Sequence, residues 1–300
     1  MELVPLGEGV GGAEVAASLG GADAIVTMRY DRTMPPAPSL RLLHVGGAGY
    51  DGIDLGYLPA GTQVCNASGH DIPIAEYVIL AMLQWCTRFM EAERSFRVEG
   101  SWRLGGRTAA PYHDELAGKT VGVLGFGSIG RALAPRARAM GTRVVACTRT
   151  PRVNPDVDMM MGIDRIDEFL GSADFVVVCC ALTAETAGLL DGRRLALMRP
   201  SGVVINVARG AIVDEGALYA ALEGKTIGGA ILDAWYLYPS RDDLTRRPSI
   251  YPFHALENVY MTPHSSAWTT GMIQRRWAMI AGNLDRLAQG YPLENVVFGA

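Results

Sequence analysis

The sequence predicts an α/β protein built around a doubly wound parallel sheet, and three observations carry that prediction. From residue 120 onward, short apolar runs alternate with segments of helical periodicity. The runs are apolar almost throughout, with no polar alternation, as expected of strands covered by helices on both faces. The run Thr120–Leu124 passes into Gly125-Phe126-Gly127-Ser128-Ile129-Gly130, a strand–turn–helix junction with glycines at the G-x-G-x-x-G spacing.

Taken in order, residues 1–25 are rich in glycine and alanine and lead to a short buried strand, Ala24–Met28. A loop with Pro35, Pro36 and Pro38 follows, then a strand over Leu40–Val45 that ends in a glycine cluster, Gly46 to Asp54. Gln63–Asn66 is the next strand. Pro73 suits the first turn of a helix that runs to Cys86. Residues 97–118 read as irregular. Beyond them come strand Val121–Leu124, helix 129–140, strand Arg143–Cys147, a helix near 164–170 and strand Phe175–Cys180. Then follow helix 191–198, strand Val203–Val207, helix 214–223 and strands Gly229–Leu232 and Val259–Met261. Asp164, Asp191 and Asp214 stand where N-caps belong, and Gly224 where a helix stops. A last helix runs from after Thr269 to about Ala288, with Met272, Trp277, Ile280, Leu284 and Leu287 as its core-facing stripe.

A chain of 300 residues, 49% apolar and 19% charged, has room for two packed domains. The net charge of −4 and the scatter of basic residues argue against a nucleic-acid partner. The five cysteines, Cys65, Cys86, Cys147, Cys179 and Cys180, show no metal-ligand spacing and sit mostly in apolar runs, which fits a reducing cytoplasm and no metal. The start has no long apolar core of a secretory leader. The apolar stretch Ile72–Cys86 contains Glu76 and Gln84 and is too short for a bilayer, so no membrane association is expected.

The glycine turn has a specific chemical use. Its first glycine makes the tight turn, its second lets backbone approach a pyrophosphate, and its third lets helix and strand pack closely with the pyrophosphate at the helix N-terminus. At the end of the following strand, a chain selective for NAD offers an acid to the ribose 2′-hydroxyl. Here that stretch is Cys147-Thr148-Arg149-Thr150-Pro151-Arg152, with no acid and two arginines suited to a 2′-phosphate, so NADP is expected over NAD. The cluster Gly46–Asp54 frees backbone N–H groups for a carboxylate, or serves as an ordinary turn.

Several blocks in order resemble one family, and the likeness covers nearly the whole chain. Gly49-Tyr50-Asp51-Gly52-Ile53-Asp54, Ala75-Glu76, the glycine turn, Asn206-Val207-Ala208-Arg209-Gly210 with Val213-Asp214, and Thr262-Pro263-His264 are similar to the D-2-hydroxyacid dehydrogenases. The resemblance implies a Rossmann cofactor domain, residues 73–266, inserted into a smaller flavodoxin-like α/β substrate domain, residues 1–72 and 267–300. Most relatives open with a further strand and helix. This chain joins the pattern late, so its substrate domain is expected to lack that unit.

The family's activity is hydride transfer between a nicotinamide and a small 2-oxo or 2-hydroxy acid. By resemblance His264 is the acid/base, Arg209 anchors the anionic substrate, and the backbone at Ala48 and Gly49 holds its carboxylate. His70, where relatives often have asparagine, either contacts substrate or is a plain loop histidine. Gly125, Gly127, Ser128, Ile129, Gly130, Thr148, Arg149, Arg152, Ala181, Thr186, Val207, Ala208 and Asp233 are the expected cofactor contacts, Asp233 toward the carboxamide. Ala181 replaces the family's proline.

One departure touches the chemistry. Relatives pair the histidine with a glutamate five residues after the aspartate equivalent to Asp233, and here that position is Tyr238. A carboxylate favours the imidazolium, whereas a phenol can orient the ring without that charge. Tyr238 either hydrogen-bonds His264 or merely packs. The surrounding segment, Trp235 to Glu257, is unusually aromatic and either lines the pocket or forms an interface. A homodimer through the cofactor domain is implied. Two other readings share the fold: a nucleotide-sensing binding protein like the C-terminal-binding-protein co-repressors, and a formate- or phosphite-type dehydrogenase.

Overall fold

The computed structural model describes residues 2–6, 12–106, 110, 112–240 and 243–299. Arg241 and Asp242 of the aromatic segment lie outside them. The chain divides into two compact units, Met1–Gly69 with Trp268–Ala300, and His70–Ala267. Among the described residues, no helix is long and apolar enough to cross a membrane.

The first unit opens with helix α1 (Gly12–Gly20), carried by alanines and anchored by buried Leu19. It precedes strand β1 (Ala24–Thr27), so a helix stands ahead of the first strand where sequence reading placed no element. Among the described residues no strand precedes that helix. β2 (Leu42–Val45) is wholly buried, and β3 (Gln63–Cys65) lies parallel beside it. The sheet order is β1–β2–β3, closed by a strand from the chain's end described below.

The second unit begins with α2 (Asp71–Thr87), whose buried residues include Ile74, Val78 and Met82. Arg88 takes a left-handed conformation (φ 51°) that breaks the helix and restarts it as α3 (Phe89–Glu99). Sequence reading had no helix there. The segment is held by its own ion pairs, Arg88–Glu91 and Arg97–Glu93, at helical spacings, and an apolar periodicity search is blind to those.

Then β4 (Thr120–Leu124), α4 (Ser128–Ala139), β5 (Arg143–Thr148), β6 (Met159–Gly162), α5 (Ile166–Ser172) and β7 (Phe175–Val178) follow. After them come α6 (Gly192–Leu195), β8 (Val203–Asn206), α7 (Glu215–Glu223), β9 (Gly229–Leu232) and β10 (Val259–Met261). The helix expected over 191–198 is regular only at α6. Its continuation uses i→i+3 bonds, Leu197 to Arg194 and Met198 to Leu195, as the chain turns toward Pro200. β6 went unforeseen because its three methionines carry no β-branched signature.

All seven strands are parallel, in the order β10–β9–β8–β7–β4–β5–β6. Alternate residues of each strand feed opposite cores. Val121, Val123, Val144, Ala146, Val177, Ile205 and Ile231 pack against α2 and α4. Leu124, Val145, Cys147, Val176, Val178, Val204 and Leu232 pack against α5 and α7. Sheet growth runs outward from β4 to β6 on one side and from β7 to β10 on the other. The switch point therefore lies between β4 and β7, where ligands of open α/β sheets bind at the strands' carboxyl ends.

The chain returns to the first unit with α8 (Thr270–Gln289), whose first turn Thr269 caps through its hydroxyl, and β11 (Val296–Phe298), antiparallel to β3. Asn283 of α8 reaches buried His44 of β2.

Candidate active site

Each glycine of the switch-point turn has its own reason to be there. Gly125 sits at φ 91°, and a Cβ on it would come within 2.5 Å of the Cys180 amide. A Cβ on Gly130 would press the Gly125 carbonyl and the Val123 side chain at 3.1 Å, so its absence lets α4 close onto β4. Around Gly127 a Cβ would meet nothing within 4 Å. That space lies at the N-terminus of α4, which no side chain of its N-cap residue covers. The first amides of a helix have no intrahelical partner and carry partial positive charge. Open space beside such amides fits a dinucleotide's pyrophosphate. Ser128 is exposed and Ile129 half-buried beside it. At the end of β5, Thr148 is half-buried while Arg149 and Arg152 are exposed. Past β7, the Thr186 hydroxyl donates to the Ala181 carbonyl (2.7 Å) and accepts the Thr183 amide (2.7 Å), fixing that loop.

At the carboxyl end of β8, Asn206 is buried and organises the next three residues. Its amide nitrogen donates to the Arg209 carbonyl (2.9 Å), and its oxygen accepts from the Ala208 amide (3.1 Å). Val207 and Ala208 are buried within this turn, and the Arg209 guanidinium donates to the Ala208 carbonyl. A Cβ on Gly210 would strike the Trp235 carbonyl, so glycine lets the Arg209 turn and the chain after β9 cross in contact.

Asp233 follows β9 and is 1% exposed. One carboxylate oxygen accepts the Thr262 hydroxyl (2.6 Å) and the Ser265 amide (2.8 Å), and the other accepts the Ser266 amide (3.0 Å). These bonds bracket His264, which stands at φ 56° with its amide donating to the Thr262 carbonyl at 3.0 Å. A side chain in that left-handed region is costly for most residues and is tolerated where surroundings over-determine it. Here the Asp233 clamp does so. Tyr77 of α2 meets the Thr262 hydroxyl at 2.7 Å, and burial pushes its phenol's pKa above the ordinary value.

Tyr238 Oη lies 2.7 Å from His264 Nδ1 and accepts the Trp235 amide at 3.1 Å. The Trp235 indole donates to the Thr262 carbonyl at 2.8 Å. Trp235 thus touches both the tyrosine and the loop of the histidine. Sequence reading left Trp235, Thr262 and Tyr77 without roles. Their signal was adjacency to Asp233 and His264, which becomes legible only once the strand ends are brought together. The aromatic segment packs on α7: Phe253 is buried beside Tyr219, Trp235 and Tyr236, and Tyr251 stacks on Tyr219.

In the first unit, the loop after β2 holds Ala48 and Gly49. The Asn66 amide donates to the Ala48 carbonyl (2.8 Å), and the Ala67 amide donates to the Gly47 carbonyl (2.9 Å). His70 opens the second unit as the residue before α2.

A sequence model described as D-isomer specific 2-hydroxyacid dehydrogenase, NAD binding domain, matches residues 79–266. The chain belongs to this family. As a D-2-hydroxyacid dehydrogenase it is an oxidoreductase that uses a nicotinamide cofactor. It is 32% identical over 280 residues to a glyoxylate reductase of Thermococcus gammatolerans, covering 89% of this chain and 80% of that one. It is 35% identical over 255 residues to a D-3-phosphoglycerate dehydrogenase of Mycobacterium tuberculosis, covering 84% of this chain but 46% of the longer relative. Among solved structures, a D-isomer specific 2-hydroxyacid dehydrogenase of Xanthobacter autotrophicus in complex with NADPH and MES superimposes with a TM-score of 0.73 at 32% identity, over 88% of this chain and 82% of that one.

Proposed function

We propose that this dehydrogenase works as an NADPH-dependent reductase of a small 2-oxo acid, with His264 as proton donor and Arg209 as substrate anchor. The observation that carries this reading is the Asp233 clamp. It uses a buried carboxylate to hold a positive-φ histidine just past the carboxyl end of β10, on the edge of the sheet where ligands of such folds bind. A histidine kept in that backbone conformation has a positional task, and an imidazole that titrates near neutrality can give and take a proton there.

When bound, the nicotinamide supplies the hydride. The glycine turn with Ser128 and Ile129, the Thr148–Arg152 stretch, Ala181, Thr186 and the Val207–Ala208 backbone hold the dinucleotide, and Asp233 adds an acceptor for the carboxamide. Arg149 and Arg152, exposed where no acid stands, support NADP over NAD, and the Xanthobacter relative holds NADPH. The planar fork of Arg209 pairs with the substrate's carboxylate and carbonyl oxygen, stabilising the charge that develops as the carbonyl is reduced. The amides at Ala48 and Gly49 receive the carboxylate, with His70 a further contact. The chain acts as a homodimer in the cytoplasm, where its five free cysteines stay reduced.

The test is nicotinamide oxidation against a panel of 2-oxo acids that includes glyoxylate, with NADPH and NADH compared. NADPH turnover that drops about 10²- to 10⁴-fold in His264→Ala, with nucleotide affinity kept, is the expected result. Arg209→Lys should raise KM and lower kcat together. Tight nucleotide binding without turnover on any acid would transfer the assignment to a nucleotide sensor. Equal kcat/KM for the two nucleotides would remove the NADP preference.

A further inference from the structure

We propose that Tyr238 recharges His264 with a proton during reduction, so that the two side chains form a neutral donor unit in place of an imidazolium–carboxylate pair. This rests on the reading of His264 as proton donor. Tyr238 Oη and His264 Nδ1 are 2.7 Å apart, within proton-transfer reach. The phenol oxygen already accepts the Trp235 amide. That backbone donor orients the hydroxyl hydrogen toward Nδ1 and stabilises negative charge on the oxygen. With Nδ1 accepting, the neutral ring carries its proton on Nε2.

The position of the phenol is fixed from several sides. The Leu237 amide donates to the Pro248 carbonyl (3.0 Å), closing the loop just behind the tyrosine. The Ser249 hydroxyl and the Ile250 amide donate to Glu215 of α7 at 2.6 and 3.2 Å. Buried Phe253 seats the loop against Tyr219, Trp235 and Tyr236. Tyr238 itself is 42% exposed, so water reaches it.

The proton path balances. As the carbonyl carbon takes up hydride, the C=O π pair moves to oxygen, and that oxygen takes the Nε2 proton. Nδ1 takes the phenol proton as the O–H bond breaks, leaving its pair on Oη as phenolate held by the Trp235 amide. The ring ends neutral in its other tautomer. Phenolate then draws a proton from water, and the tautomer resets. An imidazole acting alone must begin as imidazolium and loses its proton as pH rises past about 6.5. The paired unit keeps a proton to give until the phenol ionises, ordinarily near pH 10. Among the described residues, the other titratable and charged groups around this loop include Asp233, bonded to Thr262, Ser265 and Ser266, Tyr77 on the Thr262 hydroxyl, Arg209 in the turn that meets the Trp235 carbonyl, Glu215 of α7 bonded to Ser249 and Ile250, and on the segment itself Tyr236, Asp243, Arg246, Arg247, Tyr251, His254 and Glu257. None of them occupies the ring-nitrogen position that Tyr238 holds.

Nitrogen NMR of imidazole-labelled protein without nucleotide reads the tautomer directly. The chain has five histidines, so the His264 signals are assigned by difference from His264→Ala. At pH 8 the wild type should show the Nε2–H form, Tyr238→Phe a mixture, and Tyr238→Glu a protonated Nδ1 with an imidazolium that persists to higher pH. The second readout is the pH profile of kcat. Tyr238→Phe should stay within about threefold of wild type at pH 6 and fall about tenfold or more at pH 8.5, whereas wild type holds its rate across that range. An unchanged tautomer in Tyr238→Phe, or a parallel pH profile, overturns the relay and leaves a packing tyrosine. Turnover that survives in His264→Ala overturns the underlying assignment instead, and the NMR arm keeps the two failures apart.

Discussion

Gly125 and Gly127 stand two residues apart and are glycine for opposite reasons, which makes them separable by substitution. Gly125→Ala forces a Cβ into a left-handed backbone and against the Cys180 amide, so it should destabilise the fold by about 1–3 kcal/mol or more in urea titrations. Gly127→Ala meets open space at φ −87°, so stability should move by less than about 0.5 kcal/mol. Its methyl group would occupy the space assigned to the pyrophosphate, and the nucleotide Kd should rise tenfold or more. Loss of stability in Gly127→Ala with unchanged nucleotide affinity would refute the division. At this scale the sequence was informative wherever chemistry is local. The glycine spacing, the Ala208-Arg209-Gly210 turn and the Pro263-His264 pair are contiguous and could be read directly. The Tyr238 hydroxyl at His264 and the Thr262 hydroxyl at Asp233 involve partners brought together by the fold, and no spacing announces them.

Elements were legible where they are apolar and rich in β-branched residues or carry a helical stripe, and not where, as in β6, the apolar residues are methionines. The buried strands of the large sheet stood out, while α3, sustained by ion pairs, and β11, three residues paired antiparallel to β3, did not. Helix α8 is joined to β2 by a buried polar pair that also had no sequence signature. His44, fully buried, directs Nδ1 to the Val45 carbonyl at 3.1 Å, and a carbonyl only accepts, so that nitrogen carries the hydrogen. Nε2 then accepts from the Asn283 amide at 3.1 Å, and the same amide group bonds the Glu294 carbonyl and amide. Protonating Nε2 would set donor against donor, and burial independently lowers the imidazole's pKa below its ordinary value. The unfolded chain therefore binds the proton more readily. The stabilisation is complete above about pH 6.5 and is lost as pH falls through the lowered folded-state value. Melting temperature should fall between pH 7 and pH 5, more steeply in wild type than in His44→Gln. Asn283→Ala, which strands the buried His44 Nε2 and frees the Glu294 backbone, should cost about 1–3 kcal/mol at pH 7.5. Identical pH slopes for wild type and His44→Gln would show that His44 does not carry the effect.

For the molecule as a whole, the second unit carries large apolar side chains that its own core does not use. Leu80, Phe89, Met90, Phe96, Val98 and Trp102 are each more than half exposed, and all fall within α2, α3 and the turn that follows. Phe96 and Trp102 meet edge to face at 5.0 Å, so part of this surface is already continuous. Arg97, Glu93, Arg88 and Glu91 pair along the same helix and supply a polar border. Large exposed apolar side chains interleaved with charged ones are the composition of a protein–protein interface. A second copy of the chain is the partner that the family resemblance implies. In a symmetric pair each subunit would present this same patch, so one substitution counts twice. Sedimentation at about 10 µM should give a dimer for wild type and a monomer for Val98→Arg, whose side chain is 73% exposed and can change without disturbing the fold. Circular dichroism should be unchanged in the variant. A monomeric wild type, or a Val98→Arg protein that still sediments as a dimer, would remove this face from the assembly.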